Sequence, residues 1–144
     1  MATETKLRQL ADKECPVYYF YSSERYLVRQ AVTAITRILT ADSDEDATVL
    51  DGAAPEIEQL IMAAGTISFF GTRRVVVLPE IDPAAYSDKD LEELNSTLSS
   101  LENAVVVLGS VFELERSKLK TGKRAQKLIA QCKALGYTEE LAKP

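Results

Sequence analysis

Two short runs, Val75-Val76-Val77-Leu78 and Ala104-Val105-Val106-Val107-Leu108, are apolar at every position. A strand with one wet face alternates apolar and polar residues, so an uninterrupted run predicts a strand covered on both faces. Val17-Tyr18-Tyr19-Phe20-Tyr21 is an aromatic, β-favouring run of the same kind, and Thr48-Val49-Leu50 reads as a shorter strand. Helical spacing fills the intervals. Leu27, Ala31, Ala34, Ile35, Ile38 and Leu39 follow a possible N-cap at Ser22 or Ser23. Pro55 suits a first helical position, and Ile57, Leu60, Ile61 and Ala64 trace one face that Gly65 ends. Ser87 and Asp90 form an approximate capping box before Leu91, Leu94, Leu98 and Leu101. A last helix, with Ala125, Leu128, Ile129, Cys132 and Leu135 inward, runs to Gly136, and Tyr137-Thr138 opens a short final strand. Leu7, Leu10 and Ala11 predict a short leading helix. Strand followed by helix, repeated four times, implies an α/β fold: a mostly parallel sheet of about five strands between helix layers.

A chain of 144 residues suits one domain with a sizeable core, and its 46% apolar and 27% charged residues are ordinary for a globular protein. No apolar run is long enough to cross a bilayer, and Met1-Ala2-Thr3-Glu4 lacks the order of a signal peptide, so a cytoplasmic location is expected. Cys15 and Cys132 have no metal or redox spacing and read as ordinary core or surface thiols. The chain has no histidine, which removes Ser-His and Cys-His nucleophile activation and His-ligated zinc.

Parallel sheets take ligands at the carboxyl ends of their strands, which directs attention to the turn after the first one. It reads Ser22-Ser23-Glu24-Arg25-Tyr26-Leu27. A phosphate loop needs glycines that let backbone N–H groups crowd round the anion, then Lys and Ser/Thr. Here there is no Gly and no Lys, and Glu24 would repel phosphate. Gly122-Lys123 is followed by Arg124, with Ser117 where the motif requires Gly. After Val75-Val76-Val77-Leu78, Pro79 stands where a Walker B element has its metal-binding Asp. The phosphate loop is therefore expected to be degenerate, with no cofactor and no catalytic residue.

Charge is segregated. Arg116, Lys118, Lys120, Lys123, Arg124, Lys127 and Lys133 follow one another without an acid, whereas Asp42, Asp44, Glu45, Asp46, Asp51, Glu56 and Glu58 cluster earlier. Each run reads either as a solvated surface or, for the basic one, as a face turned to an acidic partner or to nucleic acid. The net charge of −5 argues against a dedicated nucleic-acid binder. Half of the Phe residues sit side by side in Thr66-Ile67-Ser68-Phe69-Phe70-Gly71-Thr72-Arg73-Arg74, between a helix and a strand. Adjacent aromatics at such a junction point in different directions, which makes the pair a candidate protein anchor or, alternatively, packing beneath the next strand. Of Arg73 and Arg74, one is expected to fix the loop by pairing with a carboxylate, the other to meet acidic groups on a partner.

Pro16 to Leu27, then Leu50-Asp51-Gly52, then Ser68-Phe69-Phe70-Gly71-Thr72-Arg73-Arg74-Val75-Val76-Val77-Leu78, then Ala104 to Leu108 and the Lys/Arg-rich helix together resemble the amino-terminal domain of the delta subunit of bacterial DNA polymerase III. The resemblance spans essentially the whole chain, and the Phe-Phe-Gly-x-Arg-Arg-Val block is its most distinctive part. It implies a three-layer RecA-like, AAA+-like domain over residues 1–140 that has lost nucleotide binding, with 141–144 beginning a linker to further domains. It also implies a non-catalytic clamp-loader subunit of the DNA polymerase holoenzyme, a nucleotidyltransferase, that binds the sliding clamp (beta subunit) and helps open it for loading onto primed DNA. The residues that match its clamp contact are Phe69 and Phe70, with Ile67, Ser68, Gly71 and Arg73 beside them. Other clamp-loader subunits (gamma/tau and delta prime) are expected to bind mainly through regions beyond residue 144. Contact with DNA is expected to be indirect or weak, and no membrane is involved. The alternative is a small P-loop-type nucleotide-binding or NTPase domain with a divergent phosphate loop. A phospho-acceptor signalling domain would need acids at the end of the first strand, which Tyr21-Ser22-Ser23 does not supply.

Overall fold

The computed structural model describes residues 15–41, 46–65 and 73–141. Along the chain run β1 (Val17–Ser22), α1 (Arg25–Thr40), β2 (Thr48–Val49), α2 (Ile57–Gly65), β3 (Arg74–Leu78), a 3-10 turn (Pro83–Ala85), α3 (Asp88–Ser99), β4 (Ala104–Val111), β5 (Leu114–Glu115), β6 (Lys118–Leu119), α4 (Gly122–Leu135) and β7 (Tyr137–Glu140). The main sheet has five strands in the order β2-β3-β4-β1-β7, every neighbouring pair parallel. This is the three-layer α/β architecture, with a parallel sheet of five strands, expected from the sequence. The leading helix expected near Leu7 and most of the acidic loop, Asp42 to Glu45, lie outside the described residues.

Period-two geometry explains why the runs Val75–Leu78 and Ala104–Leu108 are apolar throughout. Val17, Tyr19, Val76, Leu78, Val106 and Leu108 point to one layer, where they meet Leu60, Leu91, Leu94, Leu98, Leu128 and Cys132 of α2, α3 and α4. Tyr18, Phe20, Val75, Val77, Val105 and Val107 point to the other, against Leu27, Val28, Ala31, Val32 and Ile35 of α1. One strand thus feeds two cores, and any polar substitution in it would be buried. The approach of α1 to the sheet is close enough that a Cβ on Gly109 would collide with the Pro79 carbonyl oxygen and the Val28 side chain.

Several local expectations change. The residue before α1 is Glu24, whose carbonyl accepts from Leu27 and Val28 N–H at 3.1 and 3.3 Å, rather than Ser22 or Ser23. The Ser22 hydroxyl instead braces the turn: it accepts from Glu24 N–H at 3.1 Å and donates to the Leu141 carbonyl at 2.7 Å. Pro55 falls outside α2, with Glu56 supplying the first carbonyl to Gln59 and Leu60. Ile61 is 51% exposed, because Ile57 and Leu60 define the inward stripe and Ile61 lies on its flank. Ser87 does cap α3, its hydroxyl accepting from Asp90 N–H at 3.1 Å. The β5–β6 hairpin was not foreseen. Its turn residues, Arg116 (φ 52°) and Ser117 (φ 69°), both adopt left-handed conformations without the glycine or asparagine that usually advertises them.

Candidate functional site

Two regions compete for function, one at each end of the sheet. At the carboxyl end a crevice of about 820 Å³ opens between the turn after β1, the end of β3 and the start of α4. Its walls include Glu24, Arg25, Glu80, Asp82, Glu113 and Lys120. The Arg25 Nε donates to Glu80 Oε1 at 2.7 Å, linking the first turn to the end of β3. Asp82 accepts from Ala84 N–H at 3.0 Å and so caps the 3-10 turn. Behind the crevice, Tyr19 Oη and Ser110 Oγ are 2.6 Å apart, and the Ser110 hydroxyl donates to the Ile81 carbonyl at 2.8 Å. Burial drives the Tyr19 phenol far above its ordinary range. That group stays protonated and is a structural donor, and it offers no acid–base chemistry near neutrality.

Other perturbed groups tell the same story. Burial pushes Cys132 up to about 12, leaving an inert core thiol. Burial likewise raises Tyr86 to about 12 while its hydroxyl donates to the Pro55 carbonyl at 2.9 Å. Among the described residues no group of three or more His, Cys, Asp or Glu side chains could hold a metal ion. No helix among them is long and apolar enough to cross a membrane.

At the amino end, α2 leads through residues 66–72 into β3. Ile67, Ser68, Phe69, Phe70 and Gly71, five of the six candidate contact residues, lie outside the described residues. Their anchors are well defined. Gly65 closes α2, and Arg74 N–H donates to the Asn103 carbonyl at 3.0 Å as β3 pairs with β4. The half-buried Arg73 donates from its guanidinium to the Cys15 carbonyl at 3.4 Å, fastening the start of β3 to the segment before β1. Tyr18, pushed up to about 12 by burial, feels the positive charge of Arg73 as a partial offset. Arg73, of the two arginines, therefore meets a backbone carbonyl.

Beside these anchors a groove of about 460 Å³ is lined by Ile61, Ala64, Gly65, Leu101 and Asn103, among others. Ile61 and Met62, on the last turns of α2, are 51% and 73% exposed. Sequence reasoning missed this exposed apolar pair because the helical spacing assigned Ile61 to the core. It also missed the Arg25–Glu80 pair, whose members stand 55 residues apart.

The profile of the family described as DNA polymerase III, delta subunit, matches residues 18–135. The DNA polymerase III subunit delta of Bacillus subtilis (strain 168) is 28% identical over 137 residues, an alignment covering 86% of this chain and 39% of that protein. In fold, the chain is similar to the crystal structure of a DNA polymerase III gamma subunit-related protein from Thermotoga maritima. The TM-score is 0.68 at 14% identity, covering 99% of this chain and 47% of that one. The chain thus spans less than half the length of each of these relatives.

Proposed function

This chain belongs to the DNA polymerase III delta subunit family, and from that premise we propose that it is a non-catalytic clamp-loader component that grips a sliding clamp through the junction between α2 and β3. Phe69 and Phe70 are the anchors, and Ile67, Ser68, Gly71 and Arg73 shape the contact. The observation that carries this reading is the block Ser68-Phe69-Phe70-Gly71-Thr72-Arg73-Arg74 inside the matched span. Adjacent phenylalanines preceded by a small polar residue are costly to leave in water. Burying both in a partner contributes on the order of 3–6 kcal/mol before association costs, at about 1.5–3 each.

Opening the ring follows from linkage: a ligand shifts a clamp toward an open form only by binding that form more tightly. An apolar wedge at a subunit edge supplies such a difference. Nucleotide handling falls to other subunits, because the turn after β1 lacks glycine and lysine and Arg25 is already engaged with Glu80 across the crevice. Further contacts with gamma/tau and delta prime subunits, and through them with primed DNA in the cytoplasm, belong to this same reading. The size of the carboxyl-end crevice is the one feature that favours the rival P-loop reading.

Replacing both aromatics, as Phe69→Ala with Phe70→Ala, tests the assignment by calorimetric titration against a bacterial sliding clamp. We expect at least a hundredfold loss of affinity, about 2.7 kcal/mol, with an unchanged circular dichroism spectrum. Unchanged affinity in a folded variant refutes it.

A further inference from the structure

We propose that Arg73 is a positioning residue for the clamp contact. It straps the start of β3 across β4 to the segment before β1, so that residues 66–72 meet the clamp from a fixed frame, and it does not itself touch the clamp. The inference rests on the clamp reading and adds to it how the contact is held.

The strap crosses the sheet. Strands β3 and β1 are separated by β4, and two spacings of about 4.8 Å put them about 10 Å apart. Arg73 precedes Val75 by two residues, so the alternation of β3, continued one residue back, directs its side chain to the layer of Val75, Val77 and Tyr18, where Cys15 also packs. There a guanidinium nitrogen donates to the Cys15 carbonyl at 3.4 Å. The Tyr18 phenol hydrogen-bonds Cys15 as well and feels the charge of Arg73. Arg73, Cys15 and Tyr18 thus form one knot at the amino end of β4. A long side chain ending in a planar fork of donors is what arginine supplies and lysine does not.

The sheet itself does not call for this bond. Strand β3 is in register with β4 from Arg74 opposite Ala104 onward, and the Arg74 N–H already donates to the Asn103 carbonyl at 3.0 Å. Extending and half-burying a long side chain costs rotamer freedom, and one part-buried hydrogen bond adds little net stability in return. What the bond does fix is residue 73, which directly follows residues 66–72. On their other side the buried Leu60 packs α2 into the core, and Gly65 closes that helix. A contact segment entered and left from set positions loses less conformational freedom when it binds. The direction of the bond also separates positioning from contact. An arginine that met acids on a partner would govern the association rate and its salt dependence, whereas a strap to a carbonyl of its own chain governs neither.

The test measures surface plasmon resonance on an immobilised bacterial sliding clamp, at about 0.1 M and about 0.5 M salt, with the unaltered chain, Arg73→Met, Arg73→Lys and Ser110→Ala. We expect Arg73→Met, which removes every donor, to bind at least about fivefold more weakly, with an unchanged circular dichroism spectrum. The loss should lie chiefly in faster dissociation, and its ratio to the unaltered chain should be the same at both salts. Arg73→Lys keeps the charge without the reach across β4 and should lose most of the same affinity. Ser110→Ala weakens the core beside the crevice, away from the strap, and should keep its affinity within about twofold, which distinguishes positioning from a general loss of stability. If the unaltered chain binds, then unchanged affinity in Arg73→Met, full affinity in Arg73→Lys, a loss that shrinks at the higher salt, or an equal loss in Ser110→Ala overturns this inference alone. No binding by the unaltered chain overturns the clamp reading and this inference with it.

Discussion

At the carboxyl end of the sheet, where parallel α/β folds take their ligands, the Arg25 guanidinium and the Glu80 carboxylate meet at 2.7 Å across an open crevice. At the amino end, residues 66–72 between Gly65 and Arg73 contain two adjacent phenylalanines, one isoleucine and no charge. One end holds an arginine paired with a carboxylate, and near the other α2 exposes Ile61 and Met62. Under the proposed reading the scaffold keeps its architecture while its function sits at the other end of the sheet, since the layers that hold β1, β3 and β4 together do not depend on what occupies the crevice.

The strongest way to break this contrast is to damage the scaffold that both ends share. A Gly109→Ala chain places a methyl against Pro79 and Val28, and we expect a loss of about 1–3 kcal/mol in urea unfolding. A loss near zero would mean that α1 is not fixed tightly to β4. Ser110→Ala removes the partner of a buried phenol and leaves the Ile81 carbonyl unpaired, for a cost of about 1–3 kcal/mol, toward the lower end if water enters. Breaking the carboxyl-end pair should matter much less. The Arg25 and Glu80 side chains are 57% and 40% exposed, so Glu80→Gln should change stability by no more than about 1 kcal/mol and leave clamp affinity unaltered. Smallest of all is the expected effect of ATP with magnesium. A nucleotide held at a hundred times its Kd would add about 2.7 kcal/mol of stability, whereas we expect no displacement of the melting curve. A clear rise would restore the crevice as a ligand site.

The sheet was legible because β1, β3 and β4 are buried on both faces and their sequences carry no alternation to misread. Helix α3 was legible because Ser87 and its leucines announce both its start and its inward face. The β5–β6 hairpin was hidden because Arg116 and Ser117 occupy positive-φ positions that favour glycine or asparagine, and the residues around them are exposed and unpatterned. The 3-10 turn was readable in principle from Asp82-Pro83, an acid that caps followed by a proline at the first helical position. Of the sites, the absence of glycine from the turn after β1 could be read directly, but the Arg25–Glu80 pair could not, because only the tertiary fold brings those segments together. Arg73 was placed in the contact block from resemblance, and its bond to the Cys15 carbonyl depends on a register that local sequence does not encode.

The most direct measurement is a calorimetric titration of this chain with a bacterial sliding clamp, run with and without ATP and magnesium. We expect saturable binding with the same affinity in both runs, since the proposed contact lies at the amino end, away from the crevice. No heat of binding to the clamp, or binding that appears only when ATP is present, would contradict the account.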